Sequence, residues 1–222
     1  MSQDFLMIDD YPKVQETVRP IFHADRLLPD RVFKKRYNFT LLADFDYVFT
    51  TGLIKIVHDN RFCDKTEKVL LSVRDPEPIS YFHKHFDRIN SFYFGTDITE
   101  EEYIKLLWRN PGNRNDALIF NSETVVWIPD NGRWAIWGER SREIAVIGID
   151  DPAQAEFLLN EDGYWIDAET AVAEFAAMPY RDHKAPEDFA RPLIENYGSR
   201  KDLERKLDEA GIRLKPGIWA DE

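Results

Sequence analysis

The sequence has a single cysteine, Cys63, so it cannot form an intrachain disulfide or a cysteine-rich metal site. It has no apolar run of membrane-spanning length. Its first ten residues, MSQDFLMIDD, are acidic and lack the basic and apolar stretches of a signal peptide. From these absences we expect a soluble protein of a reducing compartment, the cytoplasm, with no membrane partner.

Familiar catalytic signatures are absent as well. There is no glycine-rich dinucleotide motif, no phosphate-binding loop, no nucleophile elbow and no H-E-x-x-H zinc motif. This favours a non-enzymatic protein without a metal or cofactor, and leaves an enzymatic role open. Cys63 with His58 as a thiol nucleophile and its base has little support, because no activating motif surrounds them.

Positive charge is in deficit. Twenty-nine Lys and Arg residues against 41 Asp and Glu residues give a net charge of −12. The imbalance is −1 in each of residues 1–60 and 61–110, −4 in 111–160 and −6 in 161–222. Nucleic acid is not expected as a partner, because binding phosphates requires a concentrated basic face. A basic protein partner fits better, although an acidic excess can also serve only to keep a protein soluble.

Apolar residues are plentiful, at 43% hydrophobic and 14% aromatic, enough to build a core. The clearest pattern lies in residues 117–149. Runs at 125–128, 134–137 and 144–147 are rich in β-branched and aromatic residues and are separated by turns, the first containing Asn131-Gly132. These runs predict an antiparallel meander, and residues 117–120 are predicted to add a strand.

Other segments extend this pattern on both sides. We predict an α+β fold in one domain, residues 1–222: a mainly antiparallel sheet with the meander at its centre, helices packed on it and a helical C-terminal part. A sub-boundary, if present, would lie near residues 160–166, before a helical portion at 167–222. Further strands are predicted within 37–49, at 53–57, 69–73 and 91–94, and helices after Asp75-Pro76, Thr99, Asp151-Pro152, Asp167, Pro186 and Ser199.

The connection from Gly138 to Glu143 alternates in charge between two apolar strands. In one interpretation Glu139 and Glu143 face a basic partner and Arg140, with Arg142, holds them in place. In the other, this is a solvated hairpin whose opposite charges pair and contribute little.

Trp134 and Trp137 lie on opposite faces of one predicted strand. If only one face of the sheet is core, one of these tryptophans is exposed and can serve as a binding anchor. If helices and loops cover both faces, both tryptophans are buried. We therefore take Trp134 and Trp137, with Glu139, Arg140 and Glu143, as the candidate binding residues.

Two clusters raise the alternative of metal chemistry. Asp44 and Asp46 bracket Phe45 in a strand-like run and would point the same way, as a metal-dependent hydrolase requires. The same alternation also describes the wet face of a sheet. His83 and His85 with Asp87 could share a metal only in a strand, whereas this segment has helical spacing. We expect one of these histidines packed and one solvated.

The run W-A-I-W-G-E-R-S-R-E-I-A-V-I-G, residues 134–148, resembles small acidic, Trp-rich bacterial proteins of the kind found as immunity proteins beside secreted polymorphic toxins. The resemblance implies a non-enzymatic inhibitor that binds its toxin directly and blocks the active site or substrate surface. An acidic surface would suit a basic nuclease as the target. A metal-dependent hydrolase using Asp44 and Asp46, or a structural subunit, are the alternatives.

Overall fold

The structure, a computed structural model, describes residues 4–215. At its centre is one six-stranded sheet, in the order β1-β6-β5-β4-β2-β3, in which all neighbouring strands are antiparallel. The predicted α+β fold is confirmed. The strands are β1 Phe39–Asp44, β2 Lys68–Asp75, β3 Ser91–Gly95, β4 Thr124–Pro129, β5 Trp134–Glu139 and β6 Ile144–Ile149.

Strands β4, β5 and β6 form the predicted meander. Ile136 in β5 lies opposite Trp127 on one side and Ile147 on the other. The β4–β5 turn closes at Gly132, which has φ +61°, and the Asn131 side chain accepts a hydrogen bond of 2.9 Å from the backbone N–H of Arg133. A glycine tolerates this positive φ without steric cost, so the turn forms where the sequence places it.

Every residue of β4, β5 and β6 is buried, because the sheet is covered on both faces. Trp134, Trp127 and Ile136 pack on one side, here the Trp134 face, and Trp137 and Val126 on the other, the Trp137 face. The helices are α1 Tyr11–Val18, α2 Gly52–His58, α3 Asn60–Cys63, α4 Lys84–Phe86, α5 Glu100–Leu107, α6 Pro152–Phe157, α7 Ala168–Glu174, α8 Glu187–Tyr197 and α9 Arg200–Glu209.

Helices from distant parts of the chain build each cover. Helices α2, α5, α6 and α9 contribute buried side chains to the Trp134 face, and α1, α7 and α8 to the Trp137 face. The C-terminal helices thus share the cores of the sheet. Within residues 160–166, Ile166 exchanges two backbone hydrogen bonds of 2.7 and 2.8 Å with Leu42 of β1. No helix among residues 4–215 is both long and apolar enough to cross a membrane.

Three strand predictions were wrong. Residues 53–57 lie in α2, and the second half of residues 37–49 is a 3-10 turn, Phe45–Phe49. The Asp44 carboxylate ends β1 there by accepting a 2.8 Å hydrogen bond from the Asp46 N–H. Residues 117–120 form a turn in which the N–H of Phe120 donates to the Ala117 carbonyl at 2.9 Å. An apolar run shorter than a helix of typical length is compatible with a strand, a helix or a turn, so its composition did not decide among them.

The predicted helix starts are confirmed at Thr99, Asp151, Asp167 and Ser199. The helix after Asp75-Pro76 begins later than predicted. Asp75 still belongs to β2, and Glu77 is the cap: its carboxylate accepts from the backbone N–H groups of Ile79 and Ser80. That segment is a π-helical turn, Pro78–His83, followed by α4.

Candidate functional site

The candidate site lies at one end of the sheet, where four strand ends come into register. Asp44 of β1 lies opposite Ile144 of β6, Ile144 opposite Glu139 of β5, and Glu139 opposite Thr124 of β4. The β5–β6 hairpin closes through a 3-10 turn, Arg140–Arg142. This end of the sheet therefore carries the charged connection that the sequence singled out.

Arg140 clamps this hairpin to the segment before β4. Its guanidinium donates from Nε to the Ser122 carbonyl at 3.0 Å and from Nη2 to the Ile119 carbonyl at 2.9 Å. It also lies over the Phe45 ring, 4.8 Å from its centroid. Hydrogen bonds to carbonyls and stacking on a ring fix the guanidinium plane, so Arg140 holds neighbouring segments in place.

Two carboxylates, those of Asp46 and Glu123, lie close to Arg140. Asp46, with its side chain 82% exposed, lies 4.0 Å from Arg140 Nη1. Glu123 accepts a 2.8 Å hydrogen bond from the Ser141 N–H, and the Glu143 carbonyl accepts from the Phe45 N–H at 3.0 Å. Asp44 and Glu143 are exposed. We call Asp44, Asp46, Glu123, Arg140 and Glu143 the hairpin surface. With Arg142 of the same turn, which donates to the Tyr180 hydroxyl, this end of the sheet carries four carboxylates and two guanidinium groups.

An exposed aromatic pair adjoins the hairpin surface. Phe120 is 51% exposed and Trp108 is 41% exposed, and their rings meet edge to face at 5.2 Å between centroids. The Arg114 guanidinium lies 5.5 Å from the Trp108 ring. Phe120 directly follows Ile119, whose carbonyl Arg140 binds. The clamp therefore places this aromatic pair beside the carboxylates.

Sequence reasoning missed the aromatic pair. The sequence pattern predicts a strand at residues 117–120, which includes Phe120, and it predicts no functional role for Trp108. One signal was present: Trp108 follows the inward-facing Leu106 and Leu107 of a capped helix and precedes Asn110-Pro111, which ends it. A large aromatic residue at that point is exposed unless another element covers it.

Of the two alternatives for β5, the structure shows the one with two covered faces, so neither tryptophan is exposed as a binding anchor. Trp134 and Trp137 are 1% and 3% exposed. Trp134 Nε1 donates to the Phe62 carbonyl at 3.3 Å, and the Trp137 ring lies 5.2 Å from that of Phe22. Neither tryptophan can anchor a partner directly, because helices and loops already occupy both faces.

Glu139 also departs from its predicted place. It is 2% exposed, and its Oε1 accepts hydrogen bonds of 2.7 Å from the Leu28 N–H and from Trp137 Nε1. It lies on the Trp137 face because it is two residues beyond Trp137 in the same strand. Burial raises the pKa of Glu139 to about 7. The two hydrogen bonds favour the charged form and lower the pKa, but burial has the larger effect. Glu139 is thus an interior carboxyl, and only Arg140 and Glu143 of the five predicted residues reach the surface.

The other predicted clusters do not converge. Asp44 caps the turn that contains Asp46, so its carboxylate is already occupied by a backbone N–H. His83 is partly buried with Nδ1 3.7 Å from Asp87, and His85 is exposed. Within residues 4–215, no group of three or more His, Cys, Asp or Glu side chains is placed to hold a metal ion.

Cys63 and His58 are not paired. His58 Nε2 lies 2.7 Å from the Ile98 carbonyl, so the ring is engaged elsewhere. Cys63 Sγ contacts the His58 backbone carbonyl at 4.0 Å and the Asn60 side chain at 3.8 Å. The geometry gives the thiol no base.

No model of a known protein family matches this chain, and neither a curated protein nor a solved structure was found to be similar to it.

Proposed function

We propose that the chain is a non-enzymatic protein-binding protein that docks its partner through the aromatic pair and the hairpin surface. The observation that carries this proposal is the contact between Trp108 and Phe120, two large side chains that stay exposed although they touch each other. Scattered exposed apolar residues need no explanation, whereas adjoining aromatic residues are typical of interaction sites.

The composition of the surface supports a protein partner. Trp and Arg are enriched among the residues that dominate binding energy, and aromatic anchors bury a large area with few rotatable bonds. Trp108, Phe120 and Arg114 supply such anchors, and the clamp by Arg140 fixes the Phe120 segment before binding. A pre-positioned anchor loses less conformational entropy when it docks.

The charge of the hairpin surface selects the chemistry of the partner. Four carboxylates against the two guanidinium groups of Arg140 and Arg142 leave a net negative rim beside the aromatic pair. A partner with a basic face and an apolar pocket is complementary to both features. We further propose that this partner is a toxin whose basic substrate surface is covered on binding, the role that the resemblance at residues 134–148 implies.

The test begins with capture of the partner on the tagged protein in lysate from its native cells, followed by mass spectrometry and titration of the purified pair. Phe120→Ala should weaken binding by about 2 kcal/mol, roughly 30-fold, because an anchor of this kind is removed. Tyr164→Ala is the matched control: its ring is 59% exposed but stacks on Tyr47. Equal affinities for the two variants, or no specific partner, would contradict the proposal.

Charge reversal tests the rim separately. Asp46→Lys with Glu143→Lys should slow association and reduce its dependence on salt, because the rim steers a basic partner. Asp130→Lys is the control, since Asp130 is an exposed carboxylate at the opposite end of the sheet, next to Pro129. An association rate that falls as much for Asp130→Lys as for the double variant would show that net charge, and not this surface, is responsible.

A further inference from the structure

A cavity of about 290 Å³ lies on the Trp137 face of the sheet. It is at the same end of the sheet as the hairpin surface. It is lined by Arg74, Thr124 and Trp137 from three neighbouring strands, and by residues between Gln15 and Leu27, in α1 and the segment after it. Its volume is at the lower limit of small-molecule sites, about 300 Å³.

Three arginines and two aspartates line this cavity, so its lining carries a small positive excess in a strongly acidic protein. Arg19, Arg26 and Arg74 line it together with His23. Asp25 and Asp75 line it too, but among residues 4–215 no carboxylate lies within 4.0 Å of any of these three guanidinium groups. Arg19 and Arg74 repel each other here, and a bound anion would relieve that repulsion.

Two buried donors at the cavity have no acceptor. Gln15 is 7% exposed and its Nε2 has no hydrogen-bond partner, and Arg74 Nη1 is likewise buried without one. Burial also lowers the pKa of Arg74. The Tyr11 hydroxyl and the Glu77 carboxylate act in the opposite direction but do not cancel this decrease. An unsatisfied buried donor costs about 1–3 kcal/mol, and more when it is charged. Both unsatisfied groups are donors, which is the pattern that an oxyanion completes.

We propose that this cavity is a binding site for a small organic oxyanion, with a carboxylate or phosphate head group held by Arg74 and Gln15 and an apolar body resting on Phe22 and Trp137. Guanidinium groups bind both kinds of head group through paired N–H donors. The two rings supply an apolar wall beside the donors, so the site favours an organic anion over an inorganic one. This site is separate from the hairpin surface and does not depend on it.

The test uses the whole protein with four probes: phenyl phosphate, benzoate, inorganic phosphate and benzyl alcohol, the last as an uncharged aromatic control. Calorimetry should show saturable one-to-one binding of phenyl phosphate or benzoate below about 1 mM, with weaker binding of inorganic phosphate and none of benzyl alcohol. The tighter of the two aromatic anions identifies the head group. The indole N–H resonance of Trp137 in NMR spectra should shift during the same titration.

Arg74→Met tests the assignment and separates binding from folding. It should weaken anion binding at least about tenfold, while the free protein unfolds at the same temperature or higher, because an unpaired buried cation has been removed. Arg133→Met, at a partly exposed arginine in the β4–β5 turn, should bind as the natural protein does. Absence of saturable binding, equal binding of benzyl alcohol, or full binding by Arg74→Met would overturn the proposal.

Discussion

Replacing Glu139 by glutamine should stabilise the protein above pH 7 and change little below pH 4.5. Glu139 is buried, and burial raises its pKa from 4.5 to about 7 in the folded state. Glutamine is close in shape and keeps an Oε1 atom that can accept from the Leu28 N–H and Trp137 Nε1, the two bonds that Glu139 makes at 2.7 Å. The substitution therefore removes ionisation and leaves the hydrogen bonds in place.

The sign and size follow from the two pKa values. Below pH 4.5 the carboxyl is protonated in both the folded and the unfolded protein, so ionisation does not affect stability. Between pH 4.5 and about 7 the unfolded chain releases the proton and the folded protein retains it, so the free energy of unfolding falls as pH rises. Above pH 7 the loss is complete, at about 3 kcal/mol for a pKa difference of this size.

Urea unfolding of both proteins at about pH 4.5 and about pH 8 measures this effect. Glu139→Gln should gain stability at the higher pH only, by up to about 3 kcal/mol. Glu143→Gln is the matched control, since Glu143 is exposed in the same hairpin and should show no comparable gain. A Glu139→Gln protein that is less stable at about pH 8, or equally stabilised at both pH values, would refute the reasoning.

Three further predictions can be tested by urea unfolding, two on packing and one on a helix cap. Gly148→Ala places a Cβ against the Tyr37 ring and should cost about 2–3 kcal/mol, whereas Gly163→Ala meets no atom within 4 Å and should cost about 1 kcal/mol from its positive φ; equal costs would refute the overlap. Trp134→Ala should cost about 3–5 kcal/mol, because the ring is buried, and a loss below 1 kcal/mol would contradict that burial. Thr99→Ala should cost about 1 kcal/mol by removing the cap of α5, and an unchanged stability would show that Glu102 suffices.

Sequence reasoning succeeded where the deciding contacts are local. Thr99 and Glu102, which cap α5 reciprocally, are three residues apart, and the Asn131 side chain accepts from the backbone N–H of Arg133, two residues further on. Such contacts form whatever the rest of the chain does, so the meander and most helix starts could be predicted. The run at residues 53–57 contains no such local contact, and its helix follows from packing on the Trp134 face.

The apolar strands of the sheet could likewise be predicted from the sequence, but the helices that cover each face could not. Continuous apolar character in β4, β5 and β6 is compatible with burial on one face or two. Each face is covered by helices more than a hundred residues apart in the chain, α1 and α8 on the Trp137 face and α2 and α9 on the Trp134 face.

By itself the sequence determined the α+β class, the acidic balance and the polar hairpin, because each is a property of composition or of neighbouring residues. Only the tertiary structure decided which side chains are exposed and which are buried. Glu139 is interior because Leu28, 111 residues away, donates to it, and Phe120 is exposed because residues 117–120 turn before β4. Exposure depends on what covers a residue, and the covering residues here are distant in sequence.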